Sequence, residues 1–201
     1  SIGISKSTAY RYMDMSKAFA GIDMTHVDLH AAEKLAEPKT PTAALPFEVE
    51  APHVDETPQA GEQPEALARR LALAKARAVA ERHPQAVVIG SDQVADVNGE
   101  PVGKPGTHER AVAQLRRMSG QTIVFQTAVA VVRGDTGFEA AELASVQVRF
   151  RALGDAEIEH YLRLEQPYDC AGSAKCETLG IALLSAIESD DPTALIGLPL
   201  I

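Results

Sequence analysis

Two groups within V-V-I-G-S-D-Q-V-A-D-V-N-G-E-P-V-G-K-P, residues 87–105, are of types that can split an activated bond: the carboxylate of Asp92 and the ammonium of Lys104. The run from Val87 is apolar and β-branched, as in a buried strand. Its break at Gly90-Ser91-Asp92 predicts a carboxylate delivered at the mouth of that strand. Asn98-Gly99 tolerates positive φ at both centres of a two-residue turn, so the chain is expected to double back and return Gly103-Lys104-Pro105 near Asp92. An acid and a lysine held on one rigid hairpin can activate water beside a bound anion.

Other charged groups have a bland and a chemical reading side by side. Lys75 lies among small residues of a helical segment, where it either snorkels to solvent or reaches a phosphate. Asp55 and Glu56 are adjacent carboxylates in the loop V-D-E-T-P, and composition alone favours an ordinary solvated acidic loop. The small residues of D-C-A-G-S-A-K-C-E-T-L-G-I, residues 169–181, allow close approach of backbone to a ligand or simply a tight turn. Its two cysteines, Cys170 and Cys176, have no second Cys pair or nearby His at a zinc spacing and read as reduced, structural thiols.

The elements that must position these groups follow from pattern and punctuation. Phe47-Glu48-Val49-Glu50 alternates as a short half-exposed strand would. Pro64 suits the first turn of a helix whose apolar positions Leu67, Leu71 and Ala74–Ala78 carry it towards His83. Thr107 caps a helix over 108–118 that Ser119-Gly120 ends, with Arg116 and Arg117 complementing its dipole. Residues 121–133 and a partner running through Val146, Val148 and Phe150 form an antiparallel pair around G-D-T-G. A helix from Gly154 or Asp155 buries Ile158, Tyr161 and Leu162 and stops before Pro167, residues 181–187 return as a buried strand, and Asp191-Pro192 starts a last helix.

Composition bounds the function. The chain has 201 residues, 45% hydrophobic, enough for one sizeable core or a core with a lobe attached. A formal charge of −9 argues against nucleic acid as a partner, since backbone binding needs a basic face, but it leaves room for a small polyanion met by a few lysines and a divalent cation. No apolar run is long enough to span a bilayer and the N-terminus lacks a signal-peptide apolar region, so no membrane association and a cytoplasmic location are expected. Residues 1–45 read differently from the remainder. Ser5–Phe19 is a candidate short helix, residues 3–12 resemble part of a helix-turn-helix without its first helix, and the Pro-rich stretch over 37–46 reads as an extended linker, with a boundary near Leu45.

Several stretches together resemble the Maf family of nucleoside triphosphate pyrophosphatases: V-D-E-T-P at 54–58, L-A-x-R-L-A-x-x-K-A at 67–76, I-G-S-D-Q-V at 89–94, G-K-P at 103–105, M-S-G at 118–120, C-A-G-S-A-K at 170–175 and D-D-P-T-A-L-I-G-L-P-L at 190–200. They occur in order over 45–201, and the set is specific where any one alone is weak. The resemblance implies an α/β fold related to the inosine triphosphatases, with a long twisted mixed sheet, flanking helices and two lobes around a nucleotide cleft. It implies hydrolysis between the α- and β-phosphates with a divalent cation, Mg or Mn, and a homodimer, since the family is often dimeric. Carried over by position, the general base falls on Asp92, phosphate-contacting lysines on Lys75 and Lys104, and the acidic residue of the V-D-E motif on Glu56, so that Glu56 and Asp92 would be the metal ligands.

Gln93 after the base and Glu177 in the later loop resemble the subfamily acting on 7-methyl-GTP rather than dTTP or UTP. A carboxylate suits a guanine ring made positive by N7-methylation and can accept from its N1–H and N2–H edge. The same chemistry on dTTP or UTP, and an impaired nucleotide-binding or division-regulatory fragment, are the alternatives. The family opens with Ser-x-Ser-Pro-x-Arg-Arg after a buried strand. Here the nearest counterpart is S-K-S-T-A-Y-R-Y at 5–12, with Ala9 for the proline and Tyr12 for the second arginine. Residues 1–45 are accordingly set apart as an atypical N-terminal segment and linker, and 46–201 as a Maf-like pyrophosphatase domain without the family's usual N-terminal motif and last helix.

Overall fold

The computed structural model describes residues 47–201. The helix, helix-turn-helix and linker readings for 1–46, and the boundary near Leu45, lie outside the described residues.

The first long element is α1 (Pro64–Ala80), which opens on proline where a missing N–H leaves nothing unpaired. Its buried stripe combines Leu67 and Leu71 with Ala68, Ala72, Ala76 and Ala80, so its backbone can lie close to its neighbour. That neighbour is β1 (Val88–Val97). At the crossing, a Cβ on Gly90 would stand 2.4 Å from the Ala72 carbonyl oxygen and 2.6 Å from the Ala76 nitrogen, so only glycine fits. Gly90 is thus the point of close approach, and the strand does not end there: it runs on to Val97, which places Asp92 in mid-strand rather than at a strand mouth.

Asn98 and Gly99, with φ of 57° and 85°, make the expected two-residue turn into β2 (Glu100–Val102). The Asp96 carboxylate locks the turn by accepting from the Gly99 N–H at 2.7 Å. Long β3 (Thr122–Arg133) and β4 (Phe138–Phe150) and short β5 (Leu184–Glu188) complete a sheet of order β2-β1-β3-β4-β5. Every pairing is antiparallel, so the parallel neighbours that a mixed sheet would need are absent among the described residues.

Helices α2 (His108–Met118) and α3 (Asp155–Glu165) follow the expected bounds, α2 with the Thr107 hydroxyl accepting from the Arg110 N–H. Successive strand residues face opposite ways, and the sheet uses both faces. Val88 and Val94 of β1 and Ala128, Ala130 and Val132 of β3 pack under α1. Ala95 and Val97, with Ile123 and Phe125, pack on the other side with α2 and α3. The two cores are therefore offset along the strands as well as placed on opposite faces, and one gives way to the other at Val94 and Ala95, just beyond Asp92 and Gln93.

Three short segments depart from the expected elements. Phe47–Glu50 is no strand beyond a single bridge at Glu48; Glu50 instead pairs with Arg82 and His83. Residues 179–183 form a 3-10 turn and only Leu184–Glu188 is strand, half exposed because it is the sheet's edge. After Asp191-Pro192 there is one 3-10 turn, Ala194–Ile196, not a helix. The Asp191 carboxylate serves the chain beyond it, accepting from the N–H of Thr193, Leu200 and Ile201 at 2.6–2.9 Å.

Candidate active site

Asp92 faces α1, and Lys75 lies on α1 between Ala72 and Ala76, the turn that touches Gly90. The tight helix–strand contact therefore delivers an ammonium onto the carboxylate, with Lys75 Nζ 2.5 Å from Asp92 Oδ1. The same ammonium lies 2.8 Å from Glu56 Oε1, and Lys104 Nζ lies 3.1 Å from Glu56 Oε2. Two acids and two lysines from a loop, a helix, a strand and a hairpin end thus alternate in one chain: Asp92, Lys75, Glu56, Lys104. Their side chains grade outwards from 10% exposed at Asp92 and Lys75 to 41% at Glu56 and 55% at Lys104.

This gradient sets the electrostatics. Burial pushes the Asp92 carboxyl above the usual carboxylate range against the pull of Lys75, and the nearby Glu56 charge adds to the rise. Burial would discharge Lys75, but the charge and hydrogen bond of Asp92 and the contact with Glu56 outweigh it and hold the ammonium protonated. Glu56 is also opposed by burial, yet the hydrogen bond from Lys75 and the charges of Lys75 and Lys104 hold it low. The inner acid is thus the better proton acceptor and the outer one a fixed negative charge.

The loop bearing Glu56 is anchored from α1. Arg70 donates to both oxygens of Glu62, at 2.6 and 2.8 Å, and to the Thr57 carbonyl at 3.1 Å, while Asp55 Oδ1 accepts from the Thr57 N–H. Arg70 is the arginine of L-A-x-R-L-A, and its role was not legible because its partners lie in a loop of no regular pattern. Beyond Lys104, a groove of about 390 Å³ opens between β2 and α2, lined in part by Lys104, Arg110, Gln114 and Arg117.

Gln93 and Glu177 do not join the charged chain. Gln93 faces the other side of the sheet, where its amide nitrogen lies 3.0–3.1 Å from the Ala194 and Leu195 carbonyls and 3.0 Å from Thr127 Oγ1. Ser91 makes the parallel attachment to the Gly197 carbonyl at 2.6 Å, so β1 clamps the 3-10 turn near the end of the chain. Glu177 is exposed on the loop that packs beside α3, close enough to Tyr161 for its charge to help raise the phenol, which burial raises first. Gly172 in the same loop packs on Phe125, where an added Cβ would stand 3.2 Å from Phe125 Cζ.

Glu56 and Asp92 offer hard carboxylate oxygens, and no cluster of three or more potential ligands occurs among the described residues. Two carboxylates without a protein cage are the donor set of Mg or Mn bound together with substrate phosphates and water, so the residues fit a cation that arrives with a polyphosphate.

The description "Maf-like protein" matches residues 40–201 of this chain. A 7-methyl-GTP pyrophosphatase of Polaromonas sp. is 74% identical over 157 residues, which cover 78% of this chain and 72% of the relative. Proteins of the same name from Albidiferax ferrireducens and Bordetella pertussis are 65% and 61% identical over 157 residues, covering 78% of this chain and 79% and 78% of the relatives. With a match over most of its length and relatives this similar, the chain belongs to the Maf family.

Proposed function

We propose that this protein hydrolyses 7-methyl-GTP to 7-methyl-GMP and pyrophosphate, with Asp92 as general base, Lys75 and Lys104 as phosphate contacts, and Glu56 and Asp92 as ligands of a divalent cation. The observation that carries the chemistry is the buried Asp92–Lys75 pair continued outwards through Glu56 to Lys104. The choice of base follows the name shared by the relatives.

Asp92, raised by its burial, takes a proton from water as the water oxygen attacks the α-phosphorus. The bond from the α-phosphorus to the bridging oxygen breaks, and its electron pair leaves on pyrophosphate. Lys75 and Lys104 meet the charge that shifts onto that leaving group. A divalent cation held by Glu56 and Asp92 would neutralise part of the triphosphate charge and make nearby water easier to deprotonate. Little more is asked of the protein, because phosphoryl transfer depends mostly on positioning and charge. Gln93 and Glu177 stand on the base-reading side. An acid at 177 accepts from the N1–H and N2–H of a guanine edge, a donor pair that a pyrimidine lacks, so the contact favours 7-methyl-GTP.

The test is pyrophosphate release from 7-methyl-GTP, GTP, dTTP and UTP in Mg or Mn. Fastest turnover of 7-methyl-GTP, abolished in Asp92→Asn with nucleotide binding kept, is expected. A preference for dTTP or UTP overturns the base assignment, wild-type turnover in Asp92→Asn removes Asp92 as base, and nucleotide binding without release leaves a binding protein.

A further inference from the structure

Gln114, on α2, belongs to none of the motifs above and lies outside the helix's buried face of Ala111, Val112, Leu115 and Met118. Both ends of its amide are nevertheless engaged. Nε2 donates to the Gly103 carbonyl at 3.1 Å, and Oε1 accepts from Ser173 Oγ at 2.5 Å. Gly103 immediately precedes Lys104, and Ser173 lies in the loop that continues to Glu177.

We propose that Gln114 is a positioning residue: its amide fixes the hairpin end bearing Lys104 and the loop bearing Glu177 relative to each other, and so sets the span between the phosphate contact and the acid that reads the base. The inference rests on the nucleotide reading above. Three features make the amide a ruler and not a surface decoration. Ser173 is fully buried and left-handed at φ 55°, a conformation few non-glycine residues hold without an anchor, and the Gln114 contact to its hydroxyl supplies one. Gly172 before it, at φ 66°, packs on the core closely enough that an added Cβ would stand 3.2 Å from Phe125 Cζ, so the loop's inner end is seated against the core. Finally, an amide is the group that can donate to a carbonyl and accept from a hydroxyl at once; a carboxylate keeps only the second contact. A backbone bond from the Gly106 N–H to the Tyr168 carbonyl at 3.0 Å joins the same two segments independently, so the junction persists without Gln114 and its variants are expected to fold.

The experiment compares Gln114→Glu, Gln114→Ala and Ser173→Ala in the full chain by kcat/KM for 7-methyl-GTP and for UTP, with amide hydrogen exchange over 103–106 and 170–177. Gln114→Glu, which keeps the Ser173 contact but turns a carboxylate oxygen on the Gly103 carbonyl and adds a negative charge beside Lys104, lowers kcat/KM for both nucleotides by a common factor of about tenfold or more and leaves their ratio unchanged. Ser173→Ala, which loses only the loop contact, narrows the ratio about three- to tenfold, as for one hydrogen bond, through 7-methyl-GTP. Gln114→Ala does both and quickens exchange in both segments. Wild-type kinetics for both nucleotides in Gln114→Ala, or faster exchange confined to α2, overturns the proposal. If the wild type turns over no nucleotide, the functional reading fails on its own account, and exchange alone decides whether Gln114 ties the two segments together.

Discussion

Gly90→Ala tests whether the contact between α1 and β1 builds the site. The added methyl would meet the Ala72 carbonyl oxygen at 2.4 Å and the Ala76 nitrogen at 2.6 Å, and both are helix backbone, which cannot rotate aside. Reaching even the tightest tolerable contact moves the helix away by about 0.6 Å, and an ordinary contact by about 1 Å. Overpacking of this kind costs about 1–3 kcal/mol, and the upper end is expected because the obstacle is backbone. Lys75 sits on the displaced turn, so its 2.5 Å contact with Asp92 opens by a similar distance. A misplacement near 1 Å in a catalytic constellation lowers turnover by up to about 100-fold. Urea unfolding gives the first number and kcat for 7-methyl-GTP the second. A variant with the wild-type urea midpoint and wild-type kcat would falsify the claim that Gly90 exists for close approach.

Further predictions follow from buried charge. Lys75→Met leaves the Asp92 carboxyl buried without its partner and costs about 3–5 kcal/mol in urea unfolding, whereas the double variant Lys75→Met/Asp92→Leu recovers most of that stability without activity; equal stability of single and double variants would mean that the pair is not coupled. Burial opposes the Asp191 charge, but hydrogen bonds from Thr193, Ile201 and Leu200 outweigh it and hold the carboxyl below its ordinary value. Its contribution is therefore complete above the unfolded carboxylate pKa, near 3.9, and is lost as the pH falls through the lower folded value. Asp191→Asn should reduce the urea midpoint at pH 6, with the gap to wild type closing towards pH 2. A gap that widens in acid reverses the sign and refutes the assignment. Asp191→Ala removes the shared acceptor of the Thr193, Leu200 and Ile201 N–H groups and costs about 1–2 kcal/mol at neutral pH, since Leu200 and Ile201 are exposed and their N–H groups can turn to water.

What the sequence made legible divides along physical lines. The helix bounds at Pro64, Thr107 and Gly154 and the turn at Asn98-Gly99 rest on local chemistry, and the structure places them as expected. The features that were not legible depend on contacts distant in sequence. Gly90 reads as a strand break until α1 is laid across it, and Asp191 reads as a helix cap until the chain returns its Leu200 and Ile201 amides. Within the site, the spacing of Asp92 and Lys104 on a hairpin pointed to an acid beside a lysine, yet the closest lysine to Asp92 is Lys75, and Lys104 reaches the site through Glu56. The neighbouring pair Asp92 and Gln93 shows why adjacency along a chain misleads. One step along a strand turns a side chain to the opposite face, so Asp92 meets the charged pocket under α1 while Gln93 grips the turn at Ala194–Leu195 on the other side. A ligand that engages both must reach around or past the sheet at this crossing. Under the proposed function, the groove between β2, last in the strand order, and α2 would be the route from the Lys104 phosphate contact to the side that carries Gln93.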